Sequence, residues 1–129
     1  MAGMAFSYAR TALVHGMAHP LSAYCDVPHG LANAILLPDV LAFNLPACEP
    51  QLARVAVAMG AEASAQAAVD AVRKLNRRVG IPCRLSDVGV TEEFISSMAQ
   101  DAFESGNAQV VNPRKPTYDQ VIDLYRQAL

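Results

Sequence analysis

Apolar positions in the second half of the chain recur at helical spacing. Ala65, Ala68, Val72, Leu75 and Val79 follow one another in steps of three and four, which predicts an amphipathic helix. Arg73, Lys74, Arg77 and Arg78 crowd its end, where the helix dipole favours cations, with Gly80 as C-cap and Pro82 as a stop. Upstream, Pro50 suits the first turn of a helix carrying Leu52, Val55 and Met59 on one side and closed by Gly60. Downstream, Thr91 can cap a helix with Glu92 and Glu93 in its first turn and Ile95, Met98 and Ala102 on its apolar side, ended by Ser105-Gly106-Asn107. Asn112-Pro113-Arg114-Lys115-Pro116 reads as a rigid loop. Thr117-x-x-Gln120 is a capping box opening a last helix with Val121, Ile122 and Tyr125 facing inward.

The first third is patterned differently. Ala2 to His19 reads as a helix that is apolar on nearly every face and has no Ser, Thr, Asp or Asn before it as a cap. This predicts a chain that opens within an element of a longer protein. Pro28-His29-Gly30 predicts a turn into a second apolar helix from Leu31 to about Phe43, kinked or stopped by Pro38. No alternating strand pattern and no repeat occurs. The fold class expected is all-α, a single helical domain over residues 1–129.

Charge sharpens the contrast. Of ten Lys+Arg and twelve Asp+Glu, only Arg10, Asp26 and Asp39 precede Cys48. A helix apolar all round is normally buried all round, and a 129-residue domain has little room to enclose two of them. Met4, Phe6, Leu13, Met17, Ile35 and Leu36 are therefore expected to leave an apolar patch uncovered, with self-association as the consequence. The segment from Pro50 to Leu129, ordinarily amphipathic, is expected to hold its helices without help.

With 53% hydrophobic residues the chain is not disordered, and a net charge of -2 lacks the basic footprint of a nucleic-acid binder. Cys25, Cys48 and Cys83 are an odd set without CxxC spacing, expected as free thiols. Met1 to Phe6 has no basic n-region, and no run of eighteen purely apolar residues occurs, so a soluble cytoplasmic protein without a membrane partner is expected.

Candidate chemistry lies in the charge-poor third, which holds all three histidines. His15 and His19, four apart, project from one helix face, and His29 follows the bend set by Pro20 and Pro28. Imidazoles converging from a helix and a nearby turn suit a divalent metal, and spacing alone pairs His15 with His19. Cys25 and Asp26 could complete a local site. A metalloprotease is excluded, because Gly16 stands where HExxH places its general base.

Val14-His15-Gly16-Met17-Ala18-His19-Pro20-Leu21 and Pro28-His29-Gly30-Leu31-Ala32-Asn33-Ala34-Ile35-Leu36-Leu37-Pro38, with Asn44 following, resemble the signature of the iron-containing alcohol dehydrogenase family. The resemblance is nearest to its lactaldehyde reductase and propanediol dehydrogenase branch. It continues through Leu85-Ser86-Asp87-Val88-Gly89-Val90 and the Asn112-Pro113-Arg114 loop, so it spans essentially the whole chain. It implies the helical C-terminal domain of the dehydroquinate synthase-like fold, which follows a dinucleotide-binding domain and holds a metal in the cleft between the two. It further implies that His15 and His29 are two of four metal ligands, the other two lying on an earlier helix. His19 maps beside the metal, facing nicotinamide and substrate, as a proton relay. Phe6 maps to the substrate channel. The implied cofactors are Fe2+ or Zn2+ and NAD(P), the substrate is a small alcohol or aldehyde, and the complete enzyme is a homo-oligomer. A neutral histidine near the substrate can pass the alcohol proton to solvent.

The chain departs from the family pattern at Ser22, where many members carry Gly, and at Arg10-Thr11. It contains no GxGxxG run and no strand–helix–strand unit to hold a dinucleotide. Two functions are therefore expected in competition. One is the metal-holding C-terminal part of an alcohol dehydrogenase, inactive alone; the other is a stand-alone, non-catalytic helical binding or assembly module.

Overall fold

A computed structural model describes Met4, residues 11–105 and residues 110–129. Helix α1 spans Leu13–Cys25, α2 His29–Ala58, α3 Ala65–Val79, α4 Ile95–Glu104 and α5 Tyr118–Ala128, with short 3-10 turns at Ser86–Val88 and Glu92–Phe94. No strand occurs among the described residues, so the all-α expectation holds. Helix α2 is the long central element: it packs on α1, α3 and α5, while α4 packs on α1 and α5.

The first helix differs from its expected bounds. Thr11 and Ala12 are not helical, α1 starts at Leu13, and it runs through Pro20 to Cys25. Proline within a helix removes one hydrogen bond, here to the Gly16 carbonyl, and the buried faces of Met17, Ala18 and Leu21 hold the helix across the gap. What ends α1 is Asp26, at φ 53° in the left-handed region, with the Val27 N–H reaching back to the Leu21 carbonyl at 3.4 Å.

Helix α2 also outruns its expected end at Phe43, and Pro38 does not stop it. Pro38 has no N–H for the Ala34 carbonyl, but the Asn76 side chain of α3 donates to that oxygen at 2.6 Å. A neighbouring helix thus supplies the missing donor. The actual break is Cys48 (φ -147°, ψ 33°), flanked by Pro46 and Pro50. Beyond it, Leu52 and Ala56 face inward, whereas Val55 and Met59 are exposed. Helix α2 is also long and apolar enough to cross a membrane by composition, yet Ile35, Leu36 and Val40 lie in the protein core.

The later elements match their signals more closely. The Ser64 hydroxyl caps α3 by accepting from the Ala67 N–H, and Gly80 ends it at φ 79°. Both hydrogen bonds of the Thr117–Gln120 capping box form. Thr91 makes no side-chain cap bond; a 3-10 turn intervenes before α4, and its hydroxyl donates to Glu93.

The expected uncovered patch is reversed at four of its six residues. Leu13, Met17, Ile35 and Leu36 are all buried, in one core with Ile95, Met98, Val121 and Tyr125. Helices α4 and α5 supply the cover that two apolar helices alone could not provide. Met4 is exposed, and Phe6 lies outside the described residues. A smaller cluster of Leu52, Ala56, Ala65 and Ala68 joins the end of α2 to α3.

Candidate metal centre

The corner between α1 and α2 brings the histidines together. His15 and His19 stand one turn apart on α1, and His29 opens α2. His29 reaches them because Asp26, Val27 and Pro28 run back along α1 instead of away from it. Val27 is buried, its N–H is tied to Leu21, and the Ser22 hydroxyl donates to its carbonyl at 2.8 Å. The departure at Ser22 therefore holds the corner closed. From the opposite side, the buried Tyr125 of α5 donates its hydroxyl to the Met17 carbonyl at 2.6 Å, bracing α1 between His15 and His19. Burial holds the Tyr125 phenol protonated, far above its ordinary range, so it serves as a fixed donor.

The three rings form one group. The His15 and His29 ring centres are 5.5 Å apart with planes at 54°, and those of His19 and His29 are 4.8 Å apart at 24°. Two imidazoles on one tetrahedral ion stand with ring centres about 5 Å apart, given metal–nitrogen bonds of ~2.1 Å. Spacing along the sequence pairs His15 with His19; the fold brings His29 of α2 against both.

Electrostatics single out His15. His15 is half-buried, and its pKa lies below the ordinary 6.5, chiefly from desolvation and then from repulsion by His29 and His19. A neutral imidazole is the form that ligates. His19 and His29 are exposed, so the cluster opens onto the surface.

Among the described residues no three His, Cys, Asp or Glu side chains meet as a complete metal cage. The local site completed by Cys25 and Asp26 is therefore not built. Burial, and then the Asp26 charge, push the half-buried Cys25 thiol up, away from the thiolate that a metal needs, and Asp26 is exposed in the turn. Imidazole donors suit a divalent metal by their chemistry, and a closed four-ligand site would need further donors from outside this group. Phe6, expected at the substrate channel, lies outside the described residues.

A second motif pair converges away from the histidines. Asn44 of α2 and Asn112, separated by 68 residues, are buried and exchange side-chain hydrogen bonds at 3.2 and 2.7 Å. Arg114 lies 4.1 Å over the Phe43 ring and donates to the Phe43 carbonyl. The Asn-Pro-Arg loop thus clamps the middle of α2. Asn44 and Asn112 were visible as motif members; their pairing was not, because nothing in sequence spacing links them.

Comparison with known proteins gives a consistent picture. The model of the Fe-containing alcohol dehydrogenase family, C-terminal, matches residues 1–129. The chain is 44% identical over 138 residues to the lactaldehyde reductase of Escherichia coli, covering 99% of this chain and 35% of that protein. It is 41% identical over 135 residues to the 1,3-propanediol dehydrogenase of Citrobacter freundii, with the same coverage of 99% and 35%. The crystal structure of 1,3-propanediol oxidoreductase matches with a TM-score of 0.94 at 41% identity, over 99% of this chain and 35% of that one. The chain spans about a third of the length of these relatives.

Proposed function

The chain belongs to the Fe-containing alcohol dehydrogenase family, and from that premise we propose that it is the metal-holding helical part of an NAD(P)-linked alcohol dehydrogenase or aldehyde reductase. The observation that carries this reading is the convergence of His15, His19 and His29 at the α1–α2 corner. His15 and His29 hold a divalent iron or zinc through neutral imidazoles, with the remaining ligands and the nicotinamide-binding loop contributed by elements outside these 129 residues. When bound, the metal supplies Lewis acidity at the substrate oxygen and the nicotinamide supplies or takes the hydride. His19, exposed beside His29, moves the alcohol proton to solvent. Phe6 borders the substrate channel. The named relatives act on lactaldehyde and on 1,3-propanediol, which supports a small alcohol or aldehyde as substrate. The complete enzyme is a soluble cytoplasmic homo-oligomer.

Zinc and iron(II) titration of the 129-residue chain tests the assignment. Binding is expected to be weak and lost to a chelator, because closed sites ordinarily use four ligands. His15→Ala and His29→Ala each abolish it, and His19→Ala reduces it less. Equal loss in all three variants would favour a local three-histidine site instead. Without a nicotinamide-holding loop, the chain alone is expected not to reduce lactaldehyde with NADH. Turnover above a metal-only blank would refute the division of labour.

A further inference from the structure

We infer that Asn33 is the positioning residue of His29, holding its Nε2 unprotonated and so choosing the nitrogen by which this imidazole meets a divalent ion. The inference rests on the reading of His29 as a ligand.

Asn33 lies one turn after His29 on α2 and makes two contacts with it through the same atom. Its Nδ2 stands 2.8 Å from the His29 carbonyl oxygen and 3.1 Å from His29 Nε2. A carbonyl oxygen can only accept, so the end of the carboxamide facing it is the NH2 group. Rotating the amide by half a turn would set its oxygen against the carbonyl. The group that faces Nε2 is therefore a donor, and Nε2 must accept. A neutral imidazole has one accepting nitrogen, which leaves the proton on Nδ1.

The other end of the amide makes no competing contact. Asn33 Oδ1 is buried and makes no hydrogen bond. An unpaired buried acceptor is destabilising, so the oxygen does not anchor the amide; the two nitrogen contacts do. Metal-binding histidines are commonly oriented by a partner on the nitrogen opposite the metal. Here the partner sits on the ligating nitrogen itself and must yield it. The ion takes Nε2 in exchange for the Asn33 N–H, and no proton has to leave the ring.

Long-range 1H–15N spectra of the uniformly labelled 129-residue chain, recorded at about pH 8 where imidazoles are neutral, read the tautomer directly. His29 is expected as the Nδ1–H form. Asn33→Asp, which cannot donate, should convert it to the Nε2–H form, and Asn33→Ala should shift it in the same direction. A packing role alone would not move the proton between nitrogens. Added zinc should then shift His29 Nε2 together with the Asn33 side-chain NH2 signals. An Nε2–H tautomer in the wild type, or an unchanged tautomer in both variants, would overturn the inference, and the wild-type spectrum decides if a variant fails to fold. An Nδ1–H tautomer that zinc leaves untouched would instead sink the ligand reading and keep the Asn33 contact.

Discussion

The charge-poor segment from Leu13 to Phe43 and the charge-rich pair formed by the end of α2 and α3 exchange the roles their sequences suggest. In the first, Leu13, Met17, Leu21, Ile35 and Leu36 are at most 4% exposed. In the second, Val55, Val57, Leu75 and Val79 are 43%, 56%, 47% and 64% exposed, although Leu75 and Val79 sit on a regular apolar stripe. Burial depends on what lies opposite a face, and an apolar face cannot choose its partner. Helices α1 and α2 meet α4 and α5; among the described residues, the last two turns of α3 add no side chain to either buried cluster.

Paired truncations would break this comparison most directly. Leu36→Ala should cost about 3 kcal/mol, as expected of a buried leucine that leaves a cavity, while Val79→Ala should stay within about 0.5 kcal/mol. Chemical denaturation of both variants beside the wild type measures the difference. Comparable losses would mean that the end of α3 is covered in solution, for example by self-association.

The polar ties across the charge-poor segment come next. Asn112→Ala strands the buried Asn44 amide and should cost about 2 kcal/mol. Asn76→Ala strands the Ala34 carbonyl opposite Pro38 and should cost about 1 to 2 kcal/mol. If Asn76→Ala also lowers helix content, Pro38 does break α2 once its substitute donor is gone. A mild effect at Asn112 would show that the loop clamp is dispensable.

Acidification should act on the histidine corner with a definite sign. His15 has a lowered pKa, so between that value and 6.5 the unfolded chain binds more protons than the folded one. Stability contributed by neutral His15 is present above 6.5 and is lost as pH falls through that window. The expected result is a lower melting temperature on the acid side, abolished in His15→Ala. An unchanged acid limb in that variant would place the titration elsewhere.

The smallest effect is expected at Asp26. Glycine accepts the left-handed conformation at no steric cost, so Asp26→Gly should stabilise by at most about 1 kcal/mol, read from the same denaturation curves. A clear destabilisation would show that the carboxylate itself holds the corner.

Local chemistry was legible wherever it is written in neighbouring residues. The capping box at Thr117, the glycine stop at Gly80 and the apolar side of α4 could all be read from short-range pattern. Such signals work because caps, dipoles and helical periodicity act within one or two turns. The sequence also marked Asn33, Asn44 and Asn112 as motif members without saying what they touch.

Everything that depended on a distant partner was decided by the tertiary structure. Pro38 stays inside α2 because Asn76, 42 residues from Ala34 in sequence, donates to the Ala34 carbonyl that Pro38 cannot serve. His29 joins His15 and His19 because Ser22 and Leu21 fold residues 26 to 28 back along α1, a contact between two helices that spacing within the first one does not show. Leu13, Met17, Leu21, Ile35 and Leu36 are buried because α4 and α5 cover them, while the stripe of α3 outlasts its cover. A sequence fixes which faces are apolar and which groups can donate; only packing determines which of them meet.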